Sequence, residues 1–271
     1  MAVAVVTGGS RGLGRALVRA LHAEGWDVVT DARTAADLAD LADLDAVADE
    51  GVTAIAGDVA EPAHRAALVA AAERRGGLDL LVNNASVLGP SPQPPLRDYP
   101  LDALRHVYEV NVVAPLALAQ LALPLLRARN GRIINVTSDA AVEPYEGWGG
   151  YGSSKAALEQ LSAVLAAEEP GVRVWAVDPG DMRTQMHQDA FPGEDISDRP
   201  EPETVVPALL RLLRDGPPSG RVRAADLADG APPAEAARAD GTAPAPAAAP
   251  VAPAAEAPPG PDGAPRTEVA V

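Results

Sequence analysis

Short β-branched runs alternate with longer alanine- and leucine-rich segments along most of this chain, and that alternation leaves few architectures open. Strands are read at residues 2–7, 27–31, 52–56, 79–83, 132–137 and 173–177, with a weaker one at 221–225. Helices are read between them at 13–24, 35–49, 62–75, 101–129, 152–168 and 201–214. A strand–helix–strand order builds parallel pairs, and near-continuous apolar strands need helices on both faces. The predicted class is therefore α/β, a doubly wound parallel sheet of about seven strands.

One domain accounts for this pattern, with residues 1–227 as the folded part and 228–271 as an Ala/Pro-rich disordered tail. The last 55 residues hold 12 of the 27 prolines and no aromatic, methionine or lysine, so they can add little to a core. Formal net charge is −16. Such an acidic surface opposes binding to nucleic acid or to an anionic membrane. Cysteine is absent, and His22, His64, His106 and His187 show no metal-ligand spacing, so each is expected on a surface or helix face. The apolar stretch at 112–126 is broken by Pro115, Gln120 and Pro124 and reads as too short to span a bilayer. With no signal-peptide pattern at the N-terminus, a cytoplasmic location is expected.

Two motifs point to chemistry. The first strand runs into Thr7-Gly8-Gly9-Ser10-Arg11-Gly12-Leu13-Gly14 and then a helix, an order that offers free N–H groups and a positive helix end to phosphates. The second is Tyr151-Gly-Ser-Ser-Lys155, which places a phenol and an ammonium on one helix face. Lys155 is the single lysine beside 21 arginines, so this position specifically carries a compact point charge. An ammonium under a phenol can lower the phenol's pKa.

The Gly-x-x-x-Gly-x-Gly turn, Asn83-Asn84-Ala85 after the fourth strand and Tyr151-x-x-x-Lys155 together resemble the short-chain dehydrogenase/reductase family from Val3 to about Leu227. The resemblance implies a Rossmann-type fold and an NAD(P)-dependent oxidoreductase. It implies that Gly8, Gly12 and Gly14 form the phosphate turn, lined by Ser10, Arg11 and Leu13. Asp58-Val59 would meet the adenine, and Asn84-Ala85 the ribose; where the family usually has glycine next, this chain has Ser86. Tyr151 would be the general acid/base, Ser138 the hydroxyl holding the substrate oxygen, and Lys155 the group that lowers the phenol's pKa and bonds the nicotinamide ribose. Asn111 would complete the tetrad. Proline at 115 supplies a reason, since it frees the Asn111 carbonyl from the helix ladder, where it can bind a relay water. Pro179-Gly180 with Thr184 would hold the nicotinamide carboxamide.

Arg33 at the end of the second strand and Arg11 in the turn favour NADP(H) over NAD(H), while the displaced acid Asp31 argues the other way. The expected partner is a small carbonyl or alcohol. Its pocket is placed around Ala140, Val142, Tyr145 and Trp148 and under a segment at 181–200 carrying Met182, Met186 and Phe191. Resemblance further implies a homodimer or homotetramer through the helices at 101–129 and 152–168. An NAD-preferring dehydrogenase, a non-catalytic dinucleotide sensor and a protein acting through its tail remain as alternatives.

Overall fold

The computed structural model describes residues 1–41 and 51–228. Seven parallel strands, β1 (Val3–Val6), β2 (Asp27–Ala32), β3 (Val52–Ala56), β4 (Leu80–Asn83), β5 (Arg132–Val136), β6 (Arg173–Asp178) and β7 (Gly220–Arg223), lie in the order β3-β2-β1-β4-β5-β6-β7. Val6 pairs with Thr30 on one side and with Val82 on the other. The strand order reverses between β1 and β4, so the loops after them diverge and open a crevice at the carboxyl edge.

Period-two alternation assigns the strands' side chains to two cores. Ala4, Val6 and Val28 join Leu17, Trp175 and Leu212 on one face, whereas Val3, Val5 and Val29 join Leu68, Leu118 and Leu126 on the other. Leu227 is buried against the first of these. The tail expected to follow it, from residue 229 onward, lies outside the described residues.

Four helical readings change. The segment at 35–49 is a 3₁₀ turn at Ala36–Leu41, and residues 42–50 lie outside the described part. The segment at 101–129 is interrupted by a π turn, Glu109–Val113, where the Ala114 N–H reaches the Glu109 carbonyl. Pro115 explains the break, because it cannot donate to the carbonyl four residues back. The helix read at 152–168 begins at Gly149. Its glycines are required by close approach: a Cβ on Gly150 would lie 2.2 Å from the Tyr99 hydroxyl, and one on Gly152 2.6 Å from the Ala140 carbonyl. The reading at 201–214 divides into a 3₁₀ turn, Pro202–Thr204, and a helix, Val206–Asp215, stopped by Gly216 in the left-handed region.

A short helix at Gln185–Ala190, capped by the Thr184 hydroxyl, was not foreseen. Nor was the helix Ala224–Ala228, which takes up residues read as strand. The continuous helical stretch Leu101–Ala128 spans 28 residues and, by length and composition, is long enough to cross a bilayer, contrary to the reading of 112–126. Its apolar character has a simpler cause. Leu118, Ala122 and Leu126 are buried against the sheet face carrying Leu81 and Ile133.

Candidate functional site

The crevice is a cavity of about 840 Å³, and of the predicted catalytic and cofactor-binding residues only Gly14 and Asn111 do not border it. Of the predicted substrate-pocket residues Ala140, Val142, Tyr145 and Phe191 do not, Val142 and Tyr145 being exposed, with the Tyr145 hydroxyl turned to Asp139. At its phosphate end the turn is built for close backbone approach. Gly8 and Gly12 take φ of +69° and +54°. A Cβ on Gly14 would sit 2.2 Å from the Gly8 carbonyl oxygen. Asn84 clamps the turn from β4 by donating its amide to the carbonyls of Thr7 at 2.9 Å and Gly8 at 3.2 Å. The Thr7 hydroxyl accepts from the N–H groups of Asn84 and Ala85. These features fit a pyrophosphate at the start of the Gly12–Ala23 helix.

Toward the adenosine end, Asp58 and Val59 border the cavity with Arg11, Arg33 and Arg15, the last of which the sequence reading missed. Asp31 faces inward. Its Oδ1 accepts from the Gly8 N–H at 2.6 Å and its Oδ2 pairs with His64 Nε2 at 2.8 Å. Of the surface or helix-face position expected for His64, the helix holds, at Pro62–Arg74, but the residue is a buried partner and not exposed. Two buried polar groups on separate elements satisfy each other, which no local pattern signals. Gly57 makes room for the ring, since a Cβ there would lie 2.2 Å from His64 Nδ1.

At the reacting end Tyr151 and Lys155 are both buried, the ammonium 5.4 Å from the centre of the phenol ring. Lys155 Nζ donates to the Val136 carbonyl at the end of β5 at 2.8 Å. Ser138, just beyond that strand, and Ser86, beyond β4, border the same cavity as Tyr151. Thr137 does not compete, because its hydroxyl donates to Glu159 at 2.8 Å.

Burial, joined by the charges of Asp139 and Asp178, pushes the phenol above the ordinary tyrosine range, while the nearby Ser138 and Ser86 hydroxyls draw it down. The expectation that Lys155 lowers the phenol is therefore not what the protein's own groups produce. Burial also lowers the Lys155 ammonium to about 7. Because the chain has one lysine, protein labelled with ¹³C at the lysine ε-carbon gives a single resonance to titrate. Its expected midpoint is near pH 7, with charge present below and lost above. A midpoint near the ordinary 10.5 would mean that the Val136 carbonyl and the ring face outweigh desolvation.

Asn111 is 1% exposed and lies behind this wall. Its amide donates to the Val87 carbonyl and the Ser154 hydroxyl, and its Oδ1 accepts from the Val87 N–H and the Ser86 hydroxyl. The side chain thus braces the loop after β4 against the Tyr151 helix. A second buried chain, Asn83 to Asn135 to Ser162, links β4 and β5 to that helix and was not foreseen.

Across the cavity, the Gly180 N–H is fixed by Asp178 at 3.0 Å. Thr184 lies against the glycine turn, its Cγ2 3.4 Å from where a Gly12 Cβ would be. Met186 and Trp148 pack on Tyr151, Leu88 and Ala140, and Phe191 stacks obliquely on Trp148 at 5.9 Å. Met182 also borders the cavity, as expected, and packs against the edge of the first core.

A parallel sheet with a glycine turn at its switch point, sharing one cavity with a buried tyrosine–lysine pair, defines a Rossmann-type NAD(P)-dependent oxidoreductase. The chain belongs to the short chain dehydrogenase family, whose model matches residues 2–195. A benzil reductase of Saccharomyces cerevisiae that forms (S)-benzoin is 35% identical over 196 residues, covering 69% of this chain and 74% of the relative. A short chain dehydrogenase structure from Pseudomonas syringae superposes with a TM-score of 0.77 at 34% identity, covering 82% of this chain and 94% of the other. An alcohol dehydrogenase from Thermococcus sibiricus, solved with 5-hydroxy-NADP, gives 0.74 at 27% identity over 82% and 95%. The chain is thus an oxidoreductase of this family.

Proposed function

We propose that the protein is an NADP(H)-dependent carbonyl reductase in which Tyr151 is the general acid. The observation that carries this reading is the convergence of the Tyr151, Ser138 and Lys155 side chains on the cavity that also holds the glycine turn. When bound, NADP(H) supplies the hydride and, once oxidised, a positive ring charge that favours the phenolate. The Ser138 hydroxyl orients the substrate oxygen, and Tyr151 gives it a proton as negative charge develops there. Lys155, anchored by Val136, faces the phenol and the ribose position and can pass a proton onward. Trp148, Met186 and Leu88 shield the reacting end from water and favour an apolar, aromatic-bearing ketone, in keeping with the benzil reductase relative. A panel of aryl ketones and diketones, followed by NADPH absorbance, tests this reading. Absence of turnover across the panel would defeat the proposed substrate class.

For the cofactor, both Asp31 oxygens are engaged inside the protein, leaving Arg33 and Arg11 on the cavity wall to meet a 2′-phosphate. Arg33→Ala is expected to raise KM for NADPH by about tenfold or more and to leave NADH nearly unchanged. An unchanged NADPH-to-NADH ratio would remove Arg33 from phosphate recognition. The acidic surface and the half-exposed Val113, Leu121 and Val164 are consistent with a cytoplasmic protein that self-associates through its long helices.

A further inference from the structure

An acid at the end of β2 ordinarily takes the adenosine ribose hydroxyls, where an arginine would accommodate a 2′-phosphate. Here both are present: Asp31 borders the cavity beside Arg33, but its side chain is only 2% exposed. Its Oδ1 accepts from the Gly8 N–H at 2.6 Å and its Oδ2 meets His64 Nε2 at 2.8 Å. A carboxylate only accepts, so Nε2 carries the hydrogen. The imidazole comes from the first turn of the Pro62–Arg74 helix, 33 residues along the chain, and its place is built. A Cβ on residue 57 would lie 2.2 Å from Nδ1, and the Gly57 N–H is tied to the Ala32 carbonyl at 2.9 Å, so this stretch of backbone cannot back away from the ring.

We propose that His64 is a positioning residue for cofactor choice, holding the Asp31 carboxylate against the glycine turn so that Arg11 and Arg33 can receive a 2′-phosphate. This role rests on the NADP(H) reading and deepens it. Without the imidazole, Asp31 keeps the Gly8 N–H alone. Its second oxygen becomes a buried acceptor with no donor, a costly state that rotation toward the cavity relieves. The rotated carboxylate brings negative charge to the wall that carries Arg11 and Arg33, which opposes a 2′-phosphate. It also offers an acceptor to a ribose hydroxyl, which favours NADH. Arg11 and Arg33 thus supply the attraction, and His64 removes the repulsion that would cancel it.

Dissociation constants for NADPH and NADH, measured by calorimetry on the whole protein, test the role without turnover. His64→Leu removes the donor, and the preference for NADPH over NADH is expected to fall by about tenfold or more. His64→Asn should act in the same way, because its shorter amide stops short of the place of Nε2. His64→Gln, long enough to present an N–H to Asp31, should keep the wild-type preference. Adding Asp31→Asn to His64→Leu removes the charge itself and should restore the preference. A role confined to packing would weaken both cofactors alike and leave their ratio in place. An unmoved ratio in His64→Leu and His64→Asn overturns the inference, as does a fall that Asp31→Asn fails to reverse. Should His64→Leu not fold, His64→Asn with and without Asp31→Asn gives the same comparison. Wild-type protein that binds NADH more tightly than NADPH would defeat the NADP(H) reading, and this inference with it.

Discussion

Tyr151→Phe is expected to lower kcat/KM for carbonyl reduction by roughly 10²–10⁴-fold, the range usual for a positioned proton donor. The substitution removes one oxygen and little else. The phenyl ring keeps its edge contact with Trp148 at 5.8 Å and its place under the Lys155 ammonium. The neighbouring Ser138 and Ser86 hydroxyls keep their partners, Asp139 Oδ1 and Asn111 Oδ1. NADPH affinity should therefore stay within a few-fold of wild type, because the phosphate turn and the Asn84 clamp lie elsewhere in the cavity. Measured by fluorescence titration beside steady-state rates, the pair of numbers separates chemistry from binding. Equal loss of both would mean that Tyr151 shapes the cavity without handling the proton.

The pattern of the strands was legible because period two and the β-branched runs report burial directly: Val3, Val5, Ala4 and Val6 divide between two cores as alternation requires. The catalytic spacing was legible for a similar reason, since four residues on a helix place Tyr151 and Lys155 on one face whatever surrounds them. What escaped the sequence depends on encounters between distant elements. Gly149 and Gly150 fall outside the helix read at 152–168 but begin it, and only glycine fits there because the Leu96 and Tyr99 side chains leave no room for a Cβ. His64 read as a surface or helix-face residue, and its buried partner Asp31 comes from the distant strand β2. The sign of the phenol's shift was hidden too. It is set by burial and by Asp139 and Asp178, which come from two different strand ends. Ser86 was visible only as a departure from the glycine pattern; its meaning required the Asn111 amide, 25 residues away.

Gly14→Ala should act against the usual rule for its place in the chain. Near the start of the Gly12–Ala23 helix, alanine in place of glycine ordinarily stabilises by about 0.5–1 kcal/mol through propensity. Here the added Cβ would meet the Gly8 carbonyl oxygen at 2.2 Å and the Asn84 amide nitrogen at 2.5 Å. The first is backbone and cannot rotate aside. Relief requires the turn to move off the helix or Asn84 to release the carbonyls of Thr7 and Gly8, and either response disturbs the phosphate cradle. Overpacking of this kind costs about 1–3 kcal/mol, which exceeds the propensity gain and sets the sign. The variant should therefore melt below wild type and bind NADPH at least about tenfold more weakly, the factor that about 1.4 kcal/mol represents. Gly171→Ala is the matched control, because nothing lies within 4 Å of its Cβ position and both properties should hold. If Gly14→Ala instead melts higher with its affinity intact, helix propensity has won, and the contact between turn and helix is not what holds the dinucleotide end in shape.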